Sequence, residues 1–176
     1  MRTTHGLGLR NTATIMFGHM DGFVHWARHL LRVRALQADT GGFTEFVPLP
    51  FVHMEAPIYR KGRARPGPTF REAVLMHAVA RLTLHPLVPN VQASWVKMGP
   101  AGVRACLDAG VNDLGGTLMD ETISRAAGAS HGSELPPAAM ERLIGSAGRR
   151  AAVRTTLYAA AARRANAPAV VLADMA

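Results

Sequence analysis

The chain has 176 residues, 48% of them hydrophobic and 18% charged, a length and balance that suit one globular unit with a sizeable core. Cys106 is the single cysteine, which excludes an internal disulfide and any Cys-rich metal site built by these residues alone, and it points to a reducing cytoplasm. No secretory pattern is present and no apolar run approaches the roughly 20 residues needed to span a bilayer. The net charge of +8 is spread over helical patterns (Arg28, Arg32, Arg34) and small clusters, with only 6% aromatic residues for base stacking, so neither a membrane nor a nucleic acid is the expected partner.

In chain order, residues 1–10 read as the end of a helix closed by Gly6 and Gly8, and residues 12–17 (TATIMF) as a short buried strand. Gly18, His19, Met20 and Asp21 follow, with Asp21 placed to cap a helix over about 23–38. Phe23, Trp26, Leu30, Val33 and Leu36 fall near one face of that helix, and Gly41 and Gly42 end it. Residues 43–49 (FTEFVPL) are a second strand, bounded by Pro48 and Pro50. The Gly-, Pro- and Arg-rich stretch 51–68 is long for a loop, a length typical of lids or disorder. Thr69 then opens a helix, with Glu72 completing a capping box, that runs to about His85 and stops at Pro86.

Residues 91–96 (VQASWV) read as a third strand, and Gly99 and Pro100 as the start of a short helix ending at Gly110. A brief fourth strand is expected at 113–115, a helix at 136–145 and a last strand at 153–158 (VRTTLY). The Ala-rich end, 159–176, carries no pattern and is set apart as a tail from a unit spanning 1–158.

Strand–helix alternation is the signature of an α/β fold with a parallel sheet, whose ligands lie at the carboxyl ends of the strands. Polar residues collect at those ends: Gly18, His19 and Asp21 after the first strand, His53 and Glu55 after the second, Lys97 after the third, and Gly115 with Gly116 after the fourth. Glu45, Gln92 and Ser94 lie within strands and would face a polar interior, while the four or five visible strands are too few to close an eight-stranded barrel. Residues 111–133 concentrate Asn112, Asp113, Gly115, Gly116, Asp120, Glu121, Ser124 and His131, which is either a ligand wall or an ordinary turn with a helix start.

His25, His29, His77 and His85 fall in helices and read as packing or surface residues; His19 and His131 lie in loops facing the site. The HWARH spacing lacks the glutamate of the zinc-protease helix, so a zinc site is rejected. Cys106, mid-helix, reads as a small packed residue rather than a nucleophile.

The blocks ATIMFGHMD, GGFTEFVPLPFVHMEAPIY, ARPGPT, NVQASWVKMG and NDLGGTLMDETISRAAGASHG, in this order, resemble the C-terminal half of the tyrosine-dependent radical S-adenosylmethionine domain of FO synthase, over about residues 7–158. The menaquinone-pathway (futalosine) radical enzymes are similar around Gly18–His19 and the Gly-Gly pair, while TEFVPLPFVH looks more like FO synthase. The resemblance implies the C-terminal part of a radical SAM (β/α) TIM-type barrel lacking its first strands. It also implies transfer of the hydroxybenzyl group of L-tyrosine to 5-amino-6-(D-ribitylamino)uracil in deazaflavin biosynthesis, with S-adenosyl-L-methionine and a 4Fe-4S cluster, and a companion FO synthase radical domain or subunit.

Carried over by position, Gly18, His19 and Asp21 resemble the strand-end motif beside the S-adenosylmethionine, Glu45, Gln92 and Ser94 are expected to line the interior, and Asn112, Gly115, Gly116, Glu121, Ser124 and His131 match the loop approaching cofactor or substrate. Arg154 reads equally as a substrate-facing group or a surface ion pair. One departure stands out. The C-x-x-x-C-x-x-C motif that would hold the cluster is not in these residues, so no metal ligand is assigned. Two readings remain at this stage: the C-terminal half of an FO-synthase-type enzyme, inactive alone, and an inactive remnant or complementing module.

Overall fold

Short apolar strands that alternate with amphipathic helices produce a mostly parallel ladder in the computed structural model, which describes residues 1–160 and 170–173. Strand β1 (Asn11–Phe17) lies parallel to β2 (Phe43–Pro50), with Thr14 opposite Val47 and Phe17 opposite Pro50. Two single parallel bridges, Phe46 to Val91 and Gln92 to Asp113, carry the ladder on to β3 (Asp113–Gly116). Strand β5 (Val170–Ala173) sits antiparallel between β3 and β4 (Ala151–Arg154). The arrangement is mixed α/β.

Helices α1 (Arg2–Gly6), α2 (Phe23–Thr40), α3 (Pro57–Arg60), α4 (Phe70–Leu84), α5 (Trp95–Asp108), α6 (Thr122–Ala126) and α7 (Pro137–Ser146) complete the chain. Among the described residues no helix is long and apolar enough to cross a membrane. The buried positions of α2 are Trp26, Leu30, Val33 and Gln37, one helical stripe, and Trp26 meets Phe17 of β1 edge-on at 5.1 Å. Helix α4 starts where the sequence places it. Thr69 Oγ1 accepts from Glu72 N at 3.2 Å, and the Glu72 carboxylate accepts from Thr69 N at 2.7 Å. Period-two alternation sends Ala13 and Phe17 to the helices while Thr12 faces the other way, hydrogen-bonded at 2.8 Å to Glu45 of β2.

Three expectations need correction. Asp21 does not cap α2; Gly22 holds that position and the Asp21 carboxylate turns back to its own loop. The third strand is only the pair Val91–Gln92, because Trp95, Val96 and Met98 are buried on a helix instead, the Trp95 indole donating to Gly116 O at 3.0 Å. Packing there overrides the strand propensity of a β-branched and aromatic run. Helix α5 is two pieces: a turn over residues 95–98 precedes the non-helical Gly99, and the second piece starts at Pro100 as the sequence implies. The last expected strand ends at Arg154, and β5 arises within the stretch assigned to a patternless tail, whose residues 161–169 and 174–176 lie outside the described residues.

Among the described residues β1 pairs only with β2, which leaves its other edge without a partner strand, and exposed Thr14 and Met16 lie on the face that Thr12 shares. Beside that edge a cavity of about 250 Å3 opens between Thr12, Thr14, His29, Arg32 and Leu36. An uncovered strand edge is a template for pairing with another chain. The 176-residue chain is expected to associate with rising concentration in sedimentation velocity, and Met16→Lys is expected to reduce that association; a strictly monomeric wild-type chain would contradict this.

His77 of α4 is fully buried with Nδ1–H donating to Ala73 O at 2.7 Å, and burial pushes its imidazole down to about 4. The folded state thus resists a proton that the unfolded state accepts near the ordinary imidazole value of 6.5. Stability is complete above that value and falls as pH drops from about 6.5 toward 4, by up to about 3 kcal/mol. Denaturant titrations across that window are expected to show this slope, flattened in His77→Met.

Candidate binding site at the carboxyl ends of the strands

The end of β1 is built around one carboxylate. Asp21 accepts from Gly18 N at 3.0 Å and His19 N at 3.0 Å, and from the Trp26 indole. Burial works to raise the Asp21 carboxyl, but these donors outweigh it and hold it at about 2. The His19 ring places Nδ1 2.6 Å from Asp21 Oδ1 and leans on Phe51. Gly18 takes φ +90°, and a Cβ there would collide with the Pro68 ring.

That contact belongs to residues 51–68, which fold back as an ordered cover over the β1 end. Arg65 N donates to His19 O at 2.9 Å, and the Arg65 guanidinium reaches both Glu72 oxygens at 3.0 and 2.9 Å. The same segment meets the loop after β3, where Glu55 N donates to Ala127 O at 3.1 Å. The loops after β1, β2 and β3 thus form one rim.

At the third and fourth strand ends, Gly115 (φ +72°) lets the Gln92 side chain lie against the backbone where a Cβ would collide with its amide. Gly116 O receives the Trp95 indole, and half-buried Ser94 is the N-cap of α5 without a side-chain capping bond. Glu121 caps α6, both carboxylate oxygens accepting from Ser124 N at 3.0 and 2.9 Å, and Ser124 is buried. The His131 ring packs on Gly99, within 2.6 Å of where a Cβ would stand. Lys97, in the first turn of α5, is half-buried; burial lowers its ammonium and the Glu121 charge partly offsets that.

Asn112 has a different place. Its Oδ1 accepts from Arg81 Nη2 at 2.6 Å and Val91 N at 3.0 Å, so this side chain joins α4 to the strands instead of facing the rim. Strand period two puts Asp113 and Gly115 on the other face, and there Asp113 joins a buried cluster that the sequence reading did not assemble. Arg154 bridges Asp113 Oδ2 at 2.5 Å and Glu45 Oε2 at 3.3 Å, and its guanidinium stacks 3.8 Å from the Tyr158 ring centroid. The Tyr158 hydroxyl donates to both carboxylates, which together with burial push its pKa upward and keep it a proton donor. Burial raises the Asp113 carboxyl, against the opposing pull of Arg154. The signal for Asp113 was its shared parity with Gly115; Arg154 was open between two roles, and the structure gives it an internal ion pair. Among the described residues no three His, Cys, Asp or Glu side chains converge to hold a metal ion.

Residues 40–166 match the family described as the CofH/MqnC C-terminal region. The chain is 55% identical over 158 residues to the 5-amino-6-(D-ribitylamino)uracil–L-tyrosine 4-hydroxyphenyl transferase of Methanopyrus kandleri, which covers 90% of this chain and 43% of that protein. It is 52% identical over 162 residues to the FO synthase of Nocardia farcinica, covering 92% of this chain and 19% of the relative. The FO synthase of Mycobacterium tuberculosis is 51% identical over 157 residues, 89% of this chain and 18% of the relative. The chain therefore spans less than half the length of each of these relatives.

Asp21 sets the geometry of the β1 end, and its lowered carboxyl means stability present above the ordinary carboxylate value of 3.8 and lost as pH falls toward about 2. Asp21→Asn is expected to lower the thermal midpoint at pH 7 and to flatten the acid limb between pH 4 and 2; unchanged melting curves at both ends would refute this role.

Proposed function

The chain belongs to the family of the CofH/MqnC C-terminal region, and on that premise we propose that it is the substrate-facing part of an FO-synthase-type transferase acting on L-tyrosine and 5-amino-6-(D-ribitylamino)uracil. The observation behind this reading is identity of 51–55% along about nine-tenths of the chain to proteins named for that chemistry. In this reading the open ladder is the C-terminal portion of a (β/α) barrel, working in the cytoplasm beside a companion FO synthase radical domain.

The residues present do not fit a 4Fe-4S cluster. Such a cluster needs several thiolates, and the one thiol here, Cys106, is fully buried in α5 and pushed up to about 12 by burial. Cluster chemistry is accordingly assigned to polypeptide beyond these residues, and no step here passes through it. For S-adenosyl-L-methionine the chemistry of the rim does fit: Ser94, Lys97, Glu121 and the Gly115–Gly116 backbone offer mixed charges, donors and acceptors to a ribose and an amino-acid end. When bound, that molecule supplies the radical precursor.

The work of this chain is then positioning and exclusion of water. Asp21 holds the Gly18–His19 turn, residues 51–68 roof the β1 end, and Gly115 permits close approach at the opposite wall. Gln92 presents its amide on the face away from the helices, matching a ligand that carries several hydroxyls.

Two assays test the proposal. The chain alone, reconstituted anaerobically with iron and sulfide, is expected to form no 5′-deoxyadenosine. A chimera of the Methanopyrus relative, with its matching 158-residue segment replaced by this chain's, is expected to keep tyrosine transfer to the aminouracil. A folded, cluster-loaded chimera without that transfer would overturn the assignment.

A further inference from the structure

Within the cover, residues 53–63 satisfy their backbone largely among themselves. Ala56 N donates to His53 O at 2.9 Å, Lys61 N to Pro57 O at 3.1 Å, Gly62 N to Tyr59 O at 2.8 Å and Arg63 N to Ile58 O at 3.0 Å. The side chains repeat the pattern: the His53 ring meets Tyr59 edge-on at 4.6 Å, and Arg60 pairs with Glu55 at 3.4 Å. Pro57 at the start of α3 helps to fix that short helix. No residue from 53 to 63 is buried and none belongs to the hydrophobic core. A cover built to stay shut would send an apolar side chain into that core, yet Ile58 and Tyr59 remain half-buried.

Both ends of this unit are anchored. Phe51 N donates to Phe17 O at 2.9 Å on one side, and Arg65 N donates to His19 O at 2.9 Å on the other. The Arg65 guanidinium adds its two bonds to Glu72. Between anchors and unit, Val52 and Ala64 form no backbone hydrogen bond with any described residue. On the far side of the rim the unit is held at two points. Glu55 N donates to Ala127 O at 3.1 Å, and the Met54 side chain lies against Gly128. Gly128 takes φ +102°, and a Cβ there would stand 2.7 Å from Met54 Cβ, so glycine leaves Met54 its seat. Among the described residues no other hydrogen bond or ion pair joins residues 53–63 to the rest of the chain.

We propose that residues 53–63 are a rigid lid on the rim, turning on Val52 and Ala64 and clasped by Met54 on Gly128 and Glu55 on Ala127. Opening breaks one hydrogen bond and one apolar contact. The bonds inside the lid, both anchors and the core stay intact, which makes this opening far cheaper than global unfolding. Closed, the lid joins the loops after β1 and β3 and shuts water from the strand ends. Open, it admits a ligand between α3 and the turn at Ala127 and Gly128. A methionine suits the clasp because its unbranched thioether seats on a bare backbone and leaves it without a large cost. The inference rests on the rim as the binding site of the proposed function and adds the step by which that site is entered.

Distances between paired spin labels on the full chain, without ligand, test the lid. Cys106 is fully buried with its thiol pushed up to about 12, so the labels go to introduced cysteines. Lys61→Cys on the lid paired with Ile123→Cys on α6 is expected to give a closed and an open population. Leu82→Cys on α4 paired with Ile123→Cys, both outside the lid and each 81% exposed, is expected to give one narrow population. Met54→Ala is expected to raise the open fraction at least threefold with an unchanged thermal midpoint, since Met54 is exposed and outside the core. A single narrow Lys61–Ile123 population in both the parent chain and Met54→Ala overturns the lid, and so does equal broadening of the control pair. Neither result touches the transferase reading, which stands or falls with the chimera. In an active chimera, Met54→Ala is expected to form at least threefold more 5′-deoxyadenosine per transfer, because an unclasped lid no longer shuts the site. An unchanged ratio there, with the open population present, overturns the role of the lid at this site alone.

Discussion

The Arg81 guanidinium is the constraint on which the rim depends. From α4 it donates to Gly110 O, Pro89 O and Asn112 Oδ1, each at 2.6 Å. Asn112 passes the restraint on by accepting from Val91 N. The ladder here has almost no regular length, since the third strand contributes only Val91 and Gln92 and joins its neighbours through single bridges. Charge-assisted bonds at three points replace the repeated pairing that a longer strand would supply. Because the turn into β3 is fixed this way, the parity of Asp113 and Gly115 is fixed as well, and one residue of slip would exchange their face with that of Leu114.

From that register follows a division between the two faces. The helix side is apolar and closed, with Phe46, Met76, Leu107 and Leu114 fully buried. The opposite side gathers Thr12, Glu45, Asp113, Arg154 and Tyr158 into one hydrogen-bonded group that spans β1, β2, β3 and β4. Two carboxylates against one guanidinium would repel if left alone, and the Tyr158 hydroxyl supplies the additional donor between them. Removing one member of such a network leaves the others buried without partners, which costs more than the pair itself contributes. This cluster therefore fastens the β4–β5 part of the chain to the parallel ladder and leaves ligand recognition to the rim.

Where local chemistry and packing agree, the sequence was readable. Thr69 and Glu72 announce α4 and form the box they announce, and the Trp26–Leu30–Val33 stripe lies on the core as its spacing implies. The run VQASWV misleads because its β-prone residues are decided by burial of Trp95 and Val96 on a helix, a tertiary effect that no window of residues contains. Asp21 misleads for a shorter-range reason. Its carboxylate has two candidate sets of donors, the helix start and its own loop, and the loop wins with Trp26 added. Asn112 and Asp113 take different partners on opposite faces, and a strand of four residues is too short to show that alternation in the sequence. The family blocks fall on the loops that form the rim, but long-range partners such as Tyr158 for Glu45 carry no local mark at all.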